Sequence, residues 1–290
     1  MARLSDRLPE NVAGSFYVDS SCIDCDICRQ LAPETFRRDD RQGQSIVHAQ
    51  PAGEAATHRA LLSLVACPTS SIGTVDKLDA RAASRAFPVP VTEDVLFCGY
   101  ASESSYGAQS WLLLREEGNV LVDSPRAAKP LMDRIAELGG VRWMFLTHRD
   151  DVADHEAYRR RFGCERILHR GDVTRGTAGV ERVVEGDEPT SLADDLLVIP
   201  VPGHTRGSTA LLARGTYLFT GDHLWATEDD VPVLDASEGV AWWSWSEQLR
   251  SLEKLLAFDF TWVLPGHGRR FHAESPEAMR RALRAFLAGV

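Results

Sequence analysis

Four apolar runs of strand length each stop at a side chain able to hold a metal ion. MFLTH ends at His148, VIPVPGH at His204, YLFTGD at Asp222 and WVLPGH at His267. A short apolar run bounded by turn residues fits a buried strand. In the last three runs a glycine stands just before the ligand, where it lets the backbone turn sharply. Strands that share one sheet edge would gather these ends around a common centre. A histidine at one strand end is more often structural than a ligand, but four such ends in one chain point to a shared site. The runs VLFCGY, SWLLLRE, NVLVDS, ERILHR and STALLAR extend the same pattern from about residue 92 onward. Helical patterns fall between some of them: KPLMDRIAEL, VADHEAYRRRF, SEQLRSLEKLLA and PEAMRRALRAFLA. The last opens with Ser275 as N-cap, Pro276 at the first helical position and Glu277 in the first turn. Strands with interspersed helices predict a layered α/β or α+β domain.

Residues 1–78 differ in character. They hold Cys22, Cys25, Cys28 and Cys67, four of the six cysteines, and only short apolar runs. CIDCDIC spaces three thiols two residues apart, and Cys67 is followed by Pro68. Three thiolates on a tight loop can take three corners of an iron–sulfur cube, and a distant Cys-Pro supplies the fourth. A zinc site of four cysteines is the alternative, although zinc ribbons usually carry two Cys-x2-Cys pairs. The stretch DARAASRAFPVPV (79–91) reads as a linker, which leaves 92–290 as the second domain. Cys98 and Cys164 lie at apolar runs and read as small buried hydrophobes.

The length of 290 residues accommodates a large domain and a small one. A formal net charge of −10 argues against nucleic acid or an anionic membrane as partner. No apolar run reaches the roughly 20 residues of a membrane span. MARLSDRLPENVAG lacks the apolar segment of a secretory signal. A cytoplasmic protein with a small-molecule substrate is expected.

Residues 15–75, from SFYVDSSCIDCDICRQLAPETF to ACPTSSIGTV, resemble a single-cluster bacterial ferredoxin. That resemblance implies a [4Fe–4S] cluster, with [3Fe–4S] as the variant form, on Cys22, Cys25, Cys28 and Cys67. Five further elements resemble the metallo-β-lactamase superfamily: TH (147–148), DH (154–155), PGHTRGS (202–208), TGDHL (220–224) and LPGHG (264–268). They appear in order across residues 92–290. This resemblance implies an α+β chain in which a four-layer αββα sandwich follows the ferredoxin-like domain, with a two-metal site on one edge of the sheets. Carried over by position, site one takes His148 and His204, site two takes Asp154, His155 and His267, and Asp222 bridges them. The sequence departs from the family's pattern at THRDDVADH (147–155). Asp150 stands where a second histidine belongs, and two extra residues precede Asp154-His155. Asp150 is expected as a ligand, and Asp151 as the cap of the following helix or a neighbour of the ligands. The added carboxylate tilts metal preference from zinc toward iron or manganese. His223 is expected beside the ligands or facing a pocket. Trp225, Trp242, Trp243 and Trp245 either wall that pocket or pack helix against sheet. The tryptophan segment and THRDDVADH together are similar to ferredoxin–metallo-β-lactamase fusion proteins of bacteria and plants.

The resemblance implies a hydrolase in which two divalent metals share a hydroxide that attacks a small ester, thioester or related substrate. Asp154 would orient the hydroxide and Asp222 would hold the metal spacing. The rival expectation is a di-iron oxidoreductase resembling flavodiiron proteins, which carry a carboxylate at the position of Asp150. Electrons would then arrive through the ferredoxin domain from a redox partner protein. A third possibility is a sensing protein that binds without turnover.

Overall fold

The computed structural model describes residues 2–290. The chain divides into two compact units. One comprises the residues up to Asn119 with Pro125–Val141 and Glu156–Phe162; the other comprises Val120–Ser124, Arg142–His155 and Gly163–Val290.

The first unit begins with β1 (Phe16–Val18), α1 (Ile27–Leu31), β2 (Phe36–Asp39), β3 (Gln44–Val47), α2 (Gly53–Ala66) and β4 (Ile72–Thr74). It continues through α3 (Arg81–Ala86), β5 (Val89–Pro90), β6 (Val95–Phe97), β7 (Trp111–Leu113), α4 (Lys129–Glu137) and most of α5 (His155–Phe162). β1 pairs antiparallel with β4, β2 with β3, and β6 with both β5 and β7. Phe16, Val18, Ile27, Phe36, Ile46, Val47, Ala60 and Ala66 are buried in its N-terminal part. α2 stops where Pro68 disfavours helical backbone at the residue before it, so Cys67 leaves the helix with ψ 121°. Asp24 and Asp26 both take the left-handed conformation, at φ 59° and 65°. Aspartate tolerates that region better than most residues, and the CIDCDIC loop curls there. Arg29 ties the curl down with ion pairs to Asp24 at 2.7 Å and to Asp26 at 2.8 Å. Residues 79–91, expected as a connecting stretch, carry α3 and β5, with Ala83 and Phe87 buried.

In the second unit β8 (Val120–Val122), β9 (Trp143–Phe145), β10 (Glu165–His169) and β11 (Arg182–Val184) run parallel. A further sheet is built from β12 (Thr190–Ala193), β13 (Leu196–Pro200), β14 (Thr209–Ala213) and β15 (Tyr217–Gly221). A small pair, β16 (Trp225–Ala226) with β17 (Leu234–Asp235), intervenes before α6 (Trp245–Leu255). β18 (Trp262–Pro265), β19 (Phe271–His272) and α7 (Pro276–Leu287) complete the chain. The order of this six-stranded sheet is β12-β13-β14-β15-β18-β19, antiparallel except for parallel β15 and β18. α6 and α7 cover one face, packing Leu252, Leu255, Met279 and Leu283 with Ala210, Leu212, Leu218 and Val263. The alternate residues Leu211, Phe219 and Leu264 are buried as well. Burial on both faces explains why these strands read as unbroken apolar runs. The Ser275 hydroxyl accepts from Ala278 N at 3.2 Å and caps α7 as expected, and Ser244 caps α6 in the same way.

Candidate metal centres

The loops following β9, β13, β15 and β18 bring His148, His204, Asp222 and His267 together. Asp222 is central: its Oδ2 is 3.8 Å from His148 Nε2 and 3.7 Å from His204 Nε2. Its Oδ1 accepts from His267 Nδ1 at 2.8 Å. The His148 and His204 rings meet edge to face, 4.7 Å between centroids. Asp150 joins them, with Oδ2 3.6 Å from His204 Nε2. Ligand atoms of His148, Asp150 and His204 lie within 4.8 Å of one another, as do those of His148, Asp151 and Asp222. Nitrogen and oxygen ligands sit roughly 2.0–2.2 Å from an ion such as zinc, so either trio can surround one.

The unmet bonding of these atoms tests the fit. His148 Nε2, His204 Nε2 and both Asp151 oxygens are buried with no hydrogen-bond partner among the described residues. Each such orphan costs about 1–3 kcal/mol, and a cation satisfies imidazole lone pairs and carboxylate oxygens together. The outer bonds select the tautomers this requires. His204 Nδ1 lies 2.5 Å from the Val240 carbonyl, so it carries the proton and leaves Nε2 a free lone pair. His148 Nδ1 is 3.0 Å from Thr147 Oγ1, which is itself 3.0 Å from each Asp123 oxygen. Glycine makes the close approach possible. A Cβ at Gly266 would stand 2.7 Å from both Asp151 Oδ2 and Asp222 Oδ1, and one at Gly221 (φ +52°) would stand 2.4 Å from Thr147 Oγ1.

The charges are strongly coupled. Burial, with Asp222 nearby, pushes the Asp151 carboxyl well above its usual range. Burial lowers His148 to about 4, against the pull of Asp222. For Asp222 burial acts upward, but His267, His148 and His204 outweigh it and hold the carboxyl below the usual range. The His204 imidazole holds half-buried Asp150 low as well. Burial raises Asp123 to about 8.

Other expected residues are placed elsewhere. α5 begins only at His155, and Asp154 faces solvent ahead of it. His155 Nδ1 accepts from Arg166 Nη1 at 3.0 Å. Neither Asp154 nor His155 belongs to the two ligand groups, His148–Asp150–His204 and His148–Asp151–Asp222. Asp151 caps no helix, since its oxygens meet no N–H. His223 is buried with both ring nitrogens unpartnered, and Gln248 Nε2 donates to its carbonyl at 3.0 Å. Trp225 and Trp245 pack against the apolar core, whereas Trp242 and Trp243 are 64% and 46% exposed. The Trp242 ring stands 6.1 Å from that of His204. Sequence reasoning missed Asp123 and Asp172. Asp172 is buried; it accepts from Arg149 N at 3.0 Å, Thr205 Oγ1 at 2.5 Å and Gly207 N at 2.9 Å, joining the loops of His148 and His204. Both had a signal, because NVLVD and ERILHRGD are also apolar runs leading to an aspartate.

In the first unit Cys22, Cys25, Cys28 and Cys67 line one small cavity with Val18, Ile23, Ile27 and Ile72. All four are free thiols. Ser45 N donates to Cys22 Sγ at 3.4 Å and Ser71 N to Cys67 Sγ at 3.3 Å. Burial pushes the Cys25 thiol up to about 12 and that of Cys28 well above its usual value. Four convergent sulfurs with backbone N–H donors suit an iron–sulfur cluster. Cys98 and Cys164 are buried outside this set, as expected.

Residues 18–74 match the family model described as the 4Fe-4S single cluster domain of Ferredoxin I. Among solved structures the chain is similar to the metallo-β-lactamase DIM-1, with TM-score 0.51 and 16% identity over 68% of this chain and 95% of that one. It is similar also to VMB-1, with TM-score 0.50 and 15% identity over 70% of this chain and 97% of that one. The larger part of the chain has the metallo-β-lactamase fold. That fold carries the candidate ligands on loops that follow its strands. Curated relatives include hydroxyacylglutathione hydrolases of Stenotrophomonas maltophilia (34% identical) and Xanthomonas campestris (29% identical), each over 119 residues. Both matches cover 40% of this chain and 46% of the relative, so the chain spans about half the length of the curated relatives it matches. No helix among the described residues is long and apolar enough to cross a membrane.

Proposed function

We propose that the chain is a metal-dependent hydrolase of a small ester or thioester, with a [4Fe–4S] cluster on Cys22, Cys25, Cys28 and Cys67. The proposed organisation is a cluster domain at 1–78, a connection at 79–91 and a hydrolase domain at 92–290. The observation that carries the reading is the convergence of His148, Asp150, Asp151, His204 and Asp222 with buried, unpartnered ligand atoms. His148, Asp150 and His204 are proposed to hold one ion. Asp151 and Asp222 would hold the second, with His267 fixing Asp222 through its 2.8 Å bond. Bound divalent ions would supply Lewis acidity and a water of lowered pKa. Asp222, which faces both histidines, sets the spacing. Asp150 stands at the solvent edge, its side chain 36% exposed, and would face an entering substrate. Trp242 forms an aromatic wall beside His204 and would exclude water from one side of a bound acyl group. The relatives named hydroxyacylglutathione hydrolases make a thioester the favoured substrate.

The test is a panel of acyl thioesters and esters offered to the metal-loaded chain and to His148→Ala. Hydrolysis by the wild type is expected, with a loss in the variant exceeding the roughly 10–100-fold typical of outer-shell partners. Turnover that survives His148→Ala would sink the proposal.

A di-iron oxidoreductase is the second reading. The observation favouring it is the carboxylate-rich centre, Asp150, Asp151 and Asp222, in one chain with a four-thiol pocket. Catalytic oxygen uptake by the chain, reduced and then freed of excess dithionite, well above that of His148→Ala would support it over hydrolysis.

A further inference from the structure

Residues outside the matched ferredoxin segment reach the backbone and side chains of its cysteines. Arg126 Nη2 donates to the Val65 carbonyl at 3.0 Å and to the Cys67 carbonyl at 3.4 Å. These carbonyls close α2, where helical acceptors lack partners and a cation is favoured. Three contacts fix the Arg126 side chain and backbone. Its Nε donates to Ala101 O at 2.8 Å, its backbone N to Tyr100 O at 2.8 Å, and its carbonyl accepts from Tyr158 Oη at 3.1 Å. The guanidinium carbon also lies 5.8 Å from the centre of the Tyr100 ring. Every hydrogen bond made by this guanidinium goes to a carbonyl, and no ion pair neutralises it among the described residues. Arg29, the other cation beside the cysteines, is paired with Asp24 and Asp26. Gly107 approaches from the same loop region. Its φ is +86°, and a Cβ there would stand 2.6 Å from Cys25 Cβ, 3.3 Å from Cys25 Sγ and 3.1 Å from Pro68 Cγ.

We infer that Arg126 is a positioning residue of the iron–sulfur site: it fixes the segment bearing Cys67 and places an unneutralised positive charge beside the cluster, raising its reduction potential. The inference rests on the reading of the four cysteines as cluster ligands. A cluster bound by four thiolates is anionic and gains a further negative charge on reduction. A fixed cation hydrogen-bonded to the carbonyl of a ligand cysteine stabilises the reduced form more than the oxidised one. Gly107 complements Arg126 by leaving the Cys25 thiol its space.

The test uses the full chain, reconstituted anaerobically, as wild type, Arg126→Gln, Arg126→Lys and Gly107→Ala. Iron and sulfide are counted, and the midpoint potential is read by EPR-monitored titration. Wild type without a cluster would overturn the underlying reading, separately from this inference. With a cluster present, Arg126→Gln is expected at a lower potential and Arg126→Lys near wild type, because lysine keeps the charge. Gly107→Ala is expected to lose iron faster in air. Arg126→Gln at the wild-type potential, or Gln and Lys variants shifted equally, would overturn the inference. Failure of both to assemble a cluster would also overturn it, by reducing Arg126 to an architectural role.

Discussion

Asp151 is sealed from solvent with both carboxylate oxygens unpartnered, while Asp154, three residues on, faces water. A metal ion would repay the desolvation of the first and has no such role at the second. Asp151→Asn is therefore expected to lower bound metal in the second unit and Asp154→Asn to leave it unchanged. Stability after Asp154→Asn should stay within about ±0.5 kcal/mol, as at most surface sites. Metal analysis of the two purified variants, with urea melts, checks this; equal metal loss in both would contradict it. Both the family pattern and strand-end logic located His148, His204, Asp222 and His267. They put Asp150 and Asp154 among the ligands and Asp151 at a helix cap or beside them, whereas the structure groups Asp151 with His148 and Asp222 and leaves Asp154 exposed. The course of that loop is set by distant partners, the Ser124 N–H on the Asp151 carbonyl at 3.0 Å and the bare Gly266 against the Asp151 carboxylate. No local pattern announces such contacts.

At the level of elements, long apolar runs were legible because burial on both faces leaves little choice of composition. VIPVPGH and YLFTGD became β13 and β15 with their ligands just beyond or at the ends. α6 and α7 were legible from their helical patterns, and α7 also from its Ser275 cap. Short pairs such as β16 with β17, and the two-residue β5 and β19, were not, since each exists only through its partner strand. The expected start of α5 at Val152 failed for a related reason: the turn before His155 takes the extra residues. α6 and α7 pack on one face of the six-stranded sheet. Leu252 of α6 is fully buried in that layer. Leu252→Ala should cost about 2–5 kcal/mol of unfolding free energy, measured by denaturant titration, with the spectrum of the cysteine-bound cluster unchanged. A cost below about 1 kcal/mol would show that α6 is not part of the core.

For the whole molecule, two metal chemistries are proposed on one polypeptide: sulfur ligands in the first unit and nitrogen–oxygen ligands in the second. The separation follows ligand softness, since thiolates favour iron–sulfur assembly and imidazole with carboxylate favours hydrolytic or di-iron ions. The ferredoxin segment does not account for the first unit alone, which also contains residues 75–119, 125–141 and 156–162. The acidic balance, net −10, does not bear on this division and sets only the long-range field. The central claim is that the cluster around Asp222 holds metal ions distinct from those on the cysteines. It is tested most directly by anaerobic purification of iron-57-labelled chain, with total metal analysis and Mössbauer spectroscopy on wild type and Asp222→Asn. The expected result is four cluster irons plus about two further ions, the further ions lost in Asp222→Asn and the cluster retained. Four cluster irons and no further metal in the wild type would contradict it.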